Sequence, residues 1–224
     1  MWGRQDKKDG DGLPDAIREQ LREADALHVA LGIAFDRYTE VRAAVEEMLD
    51  RGDGLPAKPE RDFFDGHSGM REAFTEMATT YVNARGDYSY FNLVTGNTPE
   101  PLPVLHKDLS SLIKSSKRTL KNLERLARRV ERRHKRLLDL HSTLEPIRAR
   151  IHVALTAAAH ELAWVHPMTS GRYTLETRLN AAADELRELD AGIVVFLPAM
   201  VIPDRYRDVE GTIAKVREEL LRMR

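Results

Sequence analysis

Residues 117 to 136, KRTLKNLERLARRVERRHKR, hold ten Lys or Arg and only two Glu, in a chain whose net charge is −1. Cations packed this densely do one kind of chemistry well. They attract a surface or polymer that carries many anionic groups, through screened contacts that are individually weak. Other residues invite sharper readings. Glu131 and His134 have the Glu-x-x-His spacing of helical di-iron sites, but the inward carboxylates such a site needs are missing from the sequence. His160 and His166 stand six apart, not the four of a zinc-peptidase helix. DKKDGDG near the N-terminus echoes a calcium loop without its terminal Glu. Arg51-Gly52-Asp53 matches an adhesion tripeptide, with no sign of export. No glycine-rich phosphate loop, nucleophile elbow or paired inward carboxylate is found. The sequence therefore predicts a protein that binds rather than catalyses, with no cofactor and no metal.

The elements that position the cations follow from periodicity. The chain has 224 residues, 42% hydrophobic and 32% charged, and no Cys. Ala, Leu, Glu and Arg dominate, and apolar residues recur with a period near 3.5. The first segment has its seam at Ile17, Leu21, Ala24, His28, Leu31, Phe35, Tyr38, Val41, Val45 and Met48, and predicts a helix over 14–51. The second opens at Pro103 and runs to 166, with Leu109, Leu112, Ser116, Leu120, Leu123, Ala127 and Val130 on its seam. The seam continues through Leu137, Leu144, Ile151, Leu155, Ala158, Leu162 and Val165. The third covers 174–223, through Leu175, Leu179, Ala182, Leu186, Leu189, Ile193, Phe196 and Met200, then Ile202, Tyr206, Val209, Ile213, Val216 and Leu220. Residues 52–102, rich in Gly, Pro and Asp, read as a connection with a short helix over 70–85. Residues 1–13 read as a flexible leader, and 14–224 as a single helical domain.

Pro146, Pro198 and Pro203 predict kinks within the long helices. Ser142 and Glu145 offer a capping box for a restart at Pro146. The expected fold is all-α: an elongated antiparallel three-helix coiled coil, bent at its prolines. The stretches 151–165 and 191–202 are apolar on most faces, so they predict a second copy covering Leu155, Leu162, Trp164, Ile193, Phe196 and Met200.

On the second helix, Lys114, Lys117, Lys121, Arg128 and Lys135 lie just outside the seam. Arg118, Arg125, Arg129, Arg132 and Arg136 lie opposite it. The pI of about 6.7 and the lack of an aromatic within the basic run disfavour nucleic acid. An anionic membrane surface suits the pattern better, since each cation near an anionic leaflet contributes about 1 kcal/mol. No apolar run reaches the roughly 20 residues of a spanning helix, and no secretory leader is evident. The sequence therefore predicts a cytoplasmic protein peripheral to membranes, with a protein-binding coiled-coil scaffold as the alternative.

Three kinked helices, a dimer and a basic second helix resemble the BAR domains of the amphiphysin and endophilin type. RRHKRLLDLHS, residues 132–142, is similar to the family's basic run followed by Leu-x-Asp-Tyr-Asp. Arg133, Lys135, Arg136, Leu138 and Asp139 stand at matching positions, with Leu140 for the Tyr and His141 for the second Asp. LNAAADELREL, residues 179–189, resembles the family's Leu-Asn followed by Glu-Leu-Pro at Leu179, Asn180, Glu185 and Leu186, with Arg187 for the Pro. The resemblance implies a non-catalytic homodimer that senses or imposes membrane curvature through a basic face.

Overall fold

A computed structural model describes residues 15–87, 102–192 and 201–223. Among these the chain forms six α-helices: α1 (Asp15–Asp50), α2 (Ala57–Asp65), α3 (Gly69–Asp87), α4 (Leu102–Ala163), α5 (Arg172–Asp190) and α6 (Ile202–Arg222). The described residues contain no strand. The described residues fall into two compact units. One joins Met1–Val41 to Gly66–Glu131, and the other joins Arg42–Asp65 to Arg132–Arg224.

In the first unit, α1 and α4 pack through the predicted seams, and α3 packs on them through Met70, Phe74 and Met77. Ile17, Leu21, Ala24, Leu31 and Tyr38 of α1 are buried, as are Leu109, Leu112, Leu123, Ala127 and Val130 of α4. Polar contacts fix the helix directions. Gln20 donates to Ser110 Oγ at 2.8 Å and Lys117 pairs with Glu23 at 2.5 Å. Arg37 pairs with Glu131 farther along. The pairing partners on α1 and α4 rise together, so these helices run parallel. This corrects the antiparallel arrangement expected for the first two long segments. Helix α3 is the strand of chain that runs back: Phe74 stacks on Phe35 at 4.1 Å, and Tyr81 stacks on His28 at 4.0 Å while donating to Asp25.

In the second unit, α5 and α6 are antiparallel, with Arg178–Glu219, Arg205–Glu185 and Tyr206–Asp190 contacts along their length. Helix α4 runs alongside α6 in the same sense, held by Arg150–Glu210 and Arg217–Glu161. The α4–α5 turn ends at Gly171, whose φ of 84° is a left-handed conformation that favours glycine. Tyr206, Val209, Ile213, Val216 and Leu220 are buried between them with Leu175, Leu179, Ala182, Leu186 and Leu189.

Three local expectations are corrected. Pro146 lies inside α4 without ending it, and Ser142 Oγ donates to the Leu138 carbonyl of the same helix, so no cap or restart forms there. Pro203 sits in the first turn of α6, where a missing N–H leaves no helical bond unmade, so it starts a helix instead of bending one. The third segment is accordingly two helices. Pro198, Ile193, Phe196, Met200 and the leader lie outside the described residues. Finally, KPERDFFD, read as loop, is helix α2. Phe63 and Phe64 are buried, the Arg133 guanidinium lies 3.9 Å from the Phe63 ring centroid, and Arg42 covers Phe64. Pro59 falls in the first turn, where it is tolerated.

Candidate functional site

All ten cations predicted to bind lipid are exposed. The first unit holds Lys114, Lys117, Arg118, Lys121, Arg125, Arg128 and Arg129. At 100° per residue, Lys114, Arg118, Lys121 and Arg125 fall within about 60° of one another. Leu109, Leu112, Leu123, Ala127 and Val130 are buried on the opposite side of the helix. Lys114 and Lys121 therefore belong with Arg118 and Arg125 on the outward face, which corrects their placement beside the seam. The four side chains form one row about 17 Å long. Lys107, exposed and seven residues before Lys114, extends the row. It was missed because it precedes the dense basic run, although its heptad position matches.

The cations differ in their partners. Lys117, which leans toward α1, pairs with Glu23 at 2.5 Å. Arg128 reaches Glu124 at 3.9 Å, at the outer limit of an ion pair. Arg129 also engages a neighbour. Lys114, Arg118, Lys121 and Arg125 form no ion pair with a described carboxylate. Of the acids on α1, Glu23 engages Lys117 and Asp25 accepts from Tyr81.

In the second unit Arg132, Lys135 and Arg136 are exposed, and Arg132 engages a neighbour. Arg133 is different. It donates to both carboxylate oxygens of Glu60 at 2.9 and 2.8 Å and packs on Phe63, so it serves the fold.

A polar network in the second unit went unseen in the sequence. Arg148 donates to Asp190 Oδ1 at 2.7 Å and to Asp53 Oδ1 at 3.1 Å. Tyr206 donates to Asp190 Oδ1 at 2.9 Å. His152 contacts Asp190 at 3.0 Å and His141 contacts Asp53 at 3.2 Å. Burial alone would lower the Arg148 pKa, but the hydrogen bond and charge of Asp190, with the hydrogen bond to Asp53, outweigh it and hold the guanidinium above its usual value. Burial raises the Tyr206 pKa first, and the adjacent Asp190 raises it further. The network leaves each charged member paired. It clamps the segment after α1 onto the end of α5, where Gly54 N–H also donates to the Asp190 carbonyl at 3.1 Å.

The residues predicted to meet a second copy separate. Leu162 is buried within one chain and Leu155 is half-buried there. Trp164 is 71% exposed, as is Val153. Among the described residues, no group of three or more His, Asp or Glu is arranged to hold a metal ion. No described helix is long and apolar enough to cross a membrane. No family model matches the chain, and no curated protein or solved structure does either.

Proposed function

We propose that the protein binds anionic membrane surfaces peripherally and without catalysis, through the outward row of α4. One observation carries this: Lys114, Arg118, Lys121 and Arg125 stand exposed in a single row, opposite the buried face, with no ion pair to a described carboxylate. At ~1 kcal/mol per cation, four give roughly 4 kcal/mol, which is a millimolar affinity for one chain. Two chains on one surface bring this toward the micromolar range. The surface must carry dense negative charge and need offer no pocket, which describes a leaflet of acidic phospholipid.

The test is co-sedimentation with acidic liposomes. Replacing all four cations with Glu is expected to abolish binding, leaving helicity unchanged because the side chains point away from the core. Raising salt to about 1 M, where the Debye length is about 3 Å, should release the parent protein. A quadruple variant that sediments like the parent would return the row to the status of a solvated helix face, or of a protein-docking site.

A second copy completes this reading, favoured by a separate face in the second unit. Ala149, Val153, Thr156 and His160 recur along α4 at three- and four-residue steps, Trp164 follows in the turn just past its end, and Val153, Thr156, His160 and Trp164 are exposed. None is Asp, Glu, Lys or Arg. Crossing two such faces antiparallel about residues 156 and 157 sets Trp164 over Ala149 and Val153 over His160, large against small. Val153→Asp with Trp164→Asp should give a folded monomer in sedimentation. A parent that is already monomeric at micromolar concentration would count against self-association. Curvature sensing or generation of the BAR type is the finer form of the proposal, and a liposome-diameter series tests it.

A further inference from the structure

In the first unit, α3 carries Met70, Phe74, Met77 and Tyr81 at steps of four, three and four, so these side chains form one stripe along it. Met70, Phe74 and Met77 pack against Leu31 and Ala34 of α1 and Leu123 of α4. Phe74 lies flat on Phe35 and Tyr81 lies flat on His28, with ring planes 3° and 9° apart. Glu72, Thr75, Glu76, Thr79, Thr80 and Asn83 are exposed on the other side of the helix. The Thr75 and Thr80 hydroxyls donate to carbonyls of α3 itself, those of Arg71 and Glu76.

How firmly α3 is held follows from what it buries. None of residues 69–83 is buried, and the stripe itself is half-buried. Helix α5, also 19 residues long, buries five side chains. The difference matters because apolar area removed from water is the main term opposing the entropy of an ordered segment. A helix of this length is marginal without it. The α1–α4 pair does not depend on α3 in this way. Leu21, Leu109, Leu123 and Val130 are buried along its seam, and the Lys117–Glu23 and Arg37–Glu131 pairs join the two helices directly.

We propose that α3 is a strap, which lifts as one unit from an α1–α4 pair that stays folded and closes by re-seating the two ring stacks. Lifting bares two apolar strips at once: the Met70–Phe74–Met77–Tyr81 stripe of α3, and His28, Leu31 and Phe35 beneath it on α1. The closed form covers both, so the fold holds an apolar surface that is presented only on opening. The Tyr81 hydroxyl donates to Asp25 at 2.7 Å and fixes the far end of the stripe on closing. The cationic row of α4 takes no part, so the strap stands or falls apart from the membrane reading.

The test is hydrogen exchange of the full chain, read by mass spectrometry in a urea series below the unfolding transition. Amides of residues 71–82 should share one opening, with protection about a hundredfold below that of residues 120–130 in α4. Phe74→Ala should lower α3 protection about tenfold, through the lost stack and apolar area, with residues 120–130 and helices α5 and α6 unchanged. Ala78→Pro breaks the hydrogen bonding in the middle of α3. It should abolish α3 protection and leave residues 120–130 protected. Equal protection in α3 and α4 would overturn the proposal, since α3 would then open only with the whole unit. Protection that falls smoothly from the middle of α3 to its ends would do the same, because that is fraying. So would α3 amides that exchange as fast as those of an unfolded chain, which leaves no closed state. An Ala78→Pro protein that loses its α4 protection would show that α3 belongs to the core and is no strap over it.

Discussion

Tyr206→Phe removes one oxygen from the buried network and leaves no cavity, so it isolates a single hydrogen bond. The Tyr206 ring is fully buried and its hydroxyl donates to Asp190 Oδ1 at 2.9 Å. A hydrogen bond to a charged acceptor contributes about 1.5–3 kcal/mol. Asp190 keeps Arg148 and His152 after the substitution, so the lower end applies, about 1.5 kcal/mol. For a chain of this size that lowers Tm by about 3–6 °C. The pH dependence adds a second signature. Burial, then Asp190, holds the Tyr206 pKa above its ordinary value. Above pH ~10 the unfolded chain loses this proton while the folded chain keeps it, so the folded state binds more protons and stability falls as pH rises. The slope from this one group reaches about 1.4 kcal/mol per pH unit. The Phe variant lacks it, so the gap between parent and variant should narrow in alkali and nearly close by pH ~11. Urea unfolding between pH 7 and pH 11 measures both effects. A variant within 0.5 kcal/mol of the parent at pH 7, or a gap that stays constant to pH 11, would refute this account of the network.

Tyr38→Phe, the same change in the first unit, should have the opposite sign. The Tyr38 hydroxyl is buried with no hydrogen-bond partner among the described residues, so losing it should leave urea stability unchanged or higher by up to about 1 kcal/mol. Gly54→Ala should destabilise by about 3 kcal/mol or more, because φ is +75° and a Cβ there would lie 2.2 Å from the Tyr206 hydroxyl. Gly52→Ala, with φ +67° and its nearest contact at 3.6 Å, should cost only about 1 kcal/mol of backbone strain. Equal costs at the two glycines in urea titration would show that the contact with Tyr206 is not what requires Gly54.

The heptad spacing made the buried faces legible. Leu175 to Leu189 and Ile202 to Leu220 are buried where the seam put them, and the ten cations stand exposed because a fixed core face leaves them no other place. Helix direction was not legible, since one seam serves a parallel or an antiparallel neighbour equally. What sets α1 and α4 parallel is α3, which returns the chain through Phe74–Phe35 and Tyr81–His28 stacking. Helix α2 was hidden by Pro59 and by the Gly and Pro residues that flank it. Its stability comes from Arg133, seventy-three residues beyond Glu60, and no local pattern announces such a partner. The Asp53–Arg148–Asp190 network is likewise long-range: Tyr206 was placed on the seam as an apolar residue, and its hydroxyl partner sits on a different helix.

The cationic row also has a stability cost that separates a working surface from a merely solvated one. Lys114/Arg118, Arg118/Lys121 and Lys121/Arg125 are like-charged neighbours at i,i+4, i,i+3 and i,i+4. Each pair costs about 0.2–0.5 kcal/mol at low salt, so the row costs roughly 1 kcal/mol in all. The nearby acids relieve little of this, since Glu23 engages Lys117, Glu124 faces Arg128 and Glu131 engages Arg37. Replacing Arg118 and Lys121 with Gln keeps helix propensity nearly constant and removes all three repulsive pairs. The double variant should therefore be more stable than the parent by about 0.5–1 kcal/mol at low salt. The difference should shrink as added salt screens the parent's repulsion, while binding to acidic liposomes falls. That opposition is the signature of charge kept for a partner at the expense of the fold. A variant that is less stable than the parent at low salt would mean that these cations are paired within the protein, and the row would lose its claim to an outside partner.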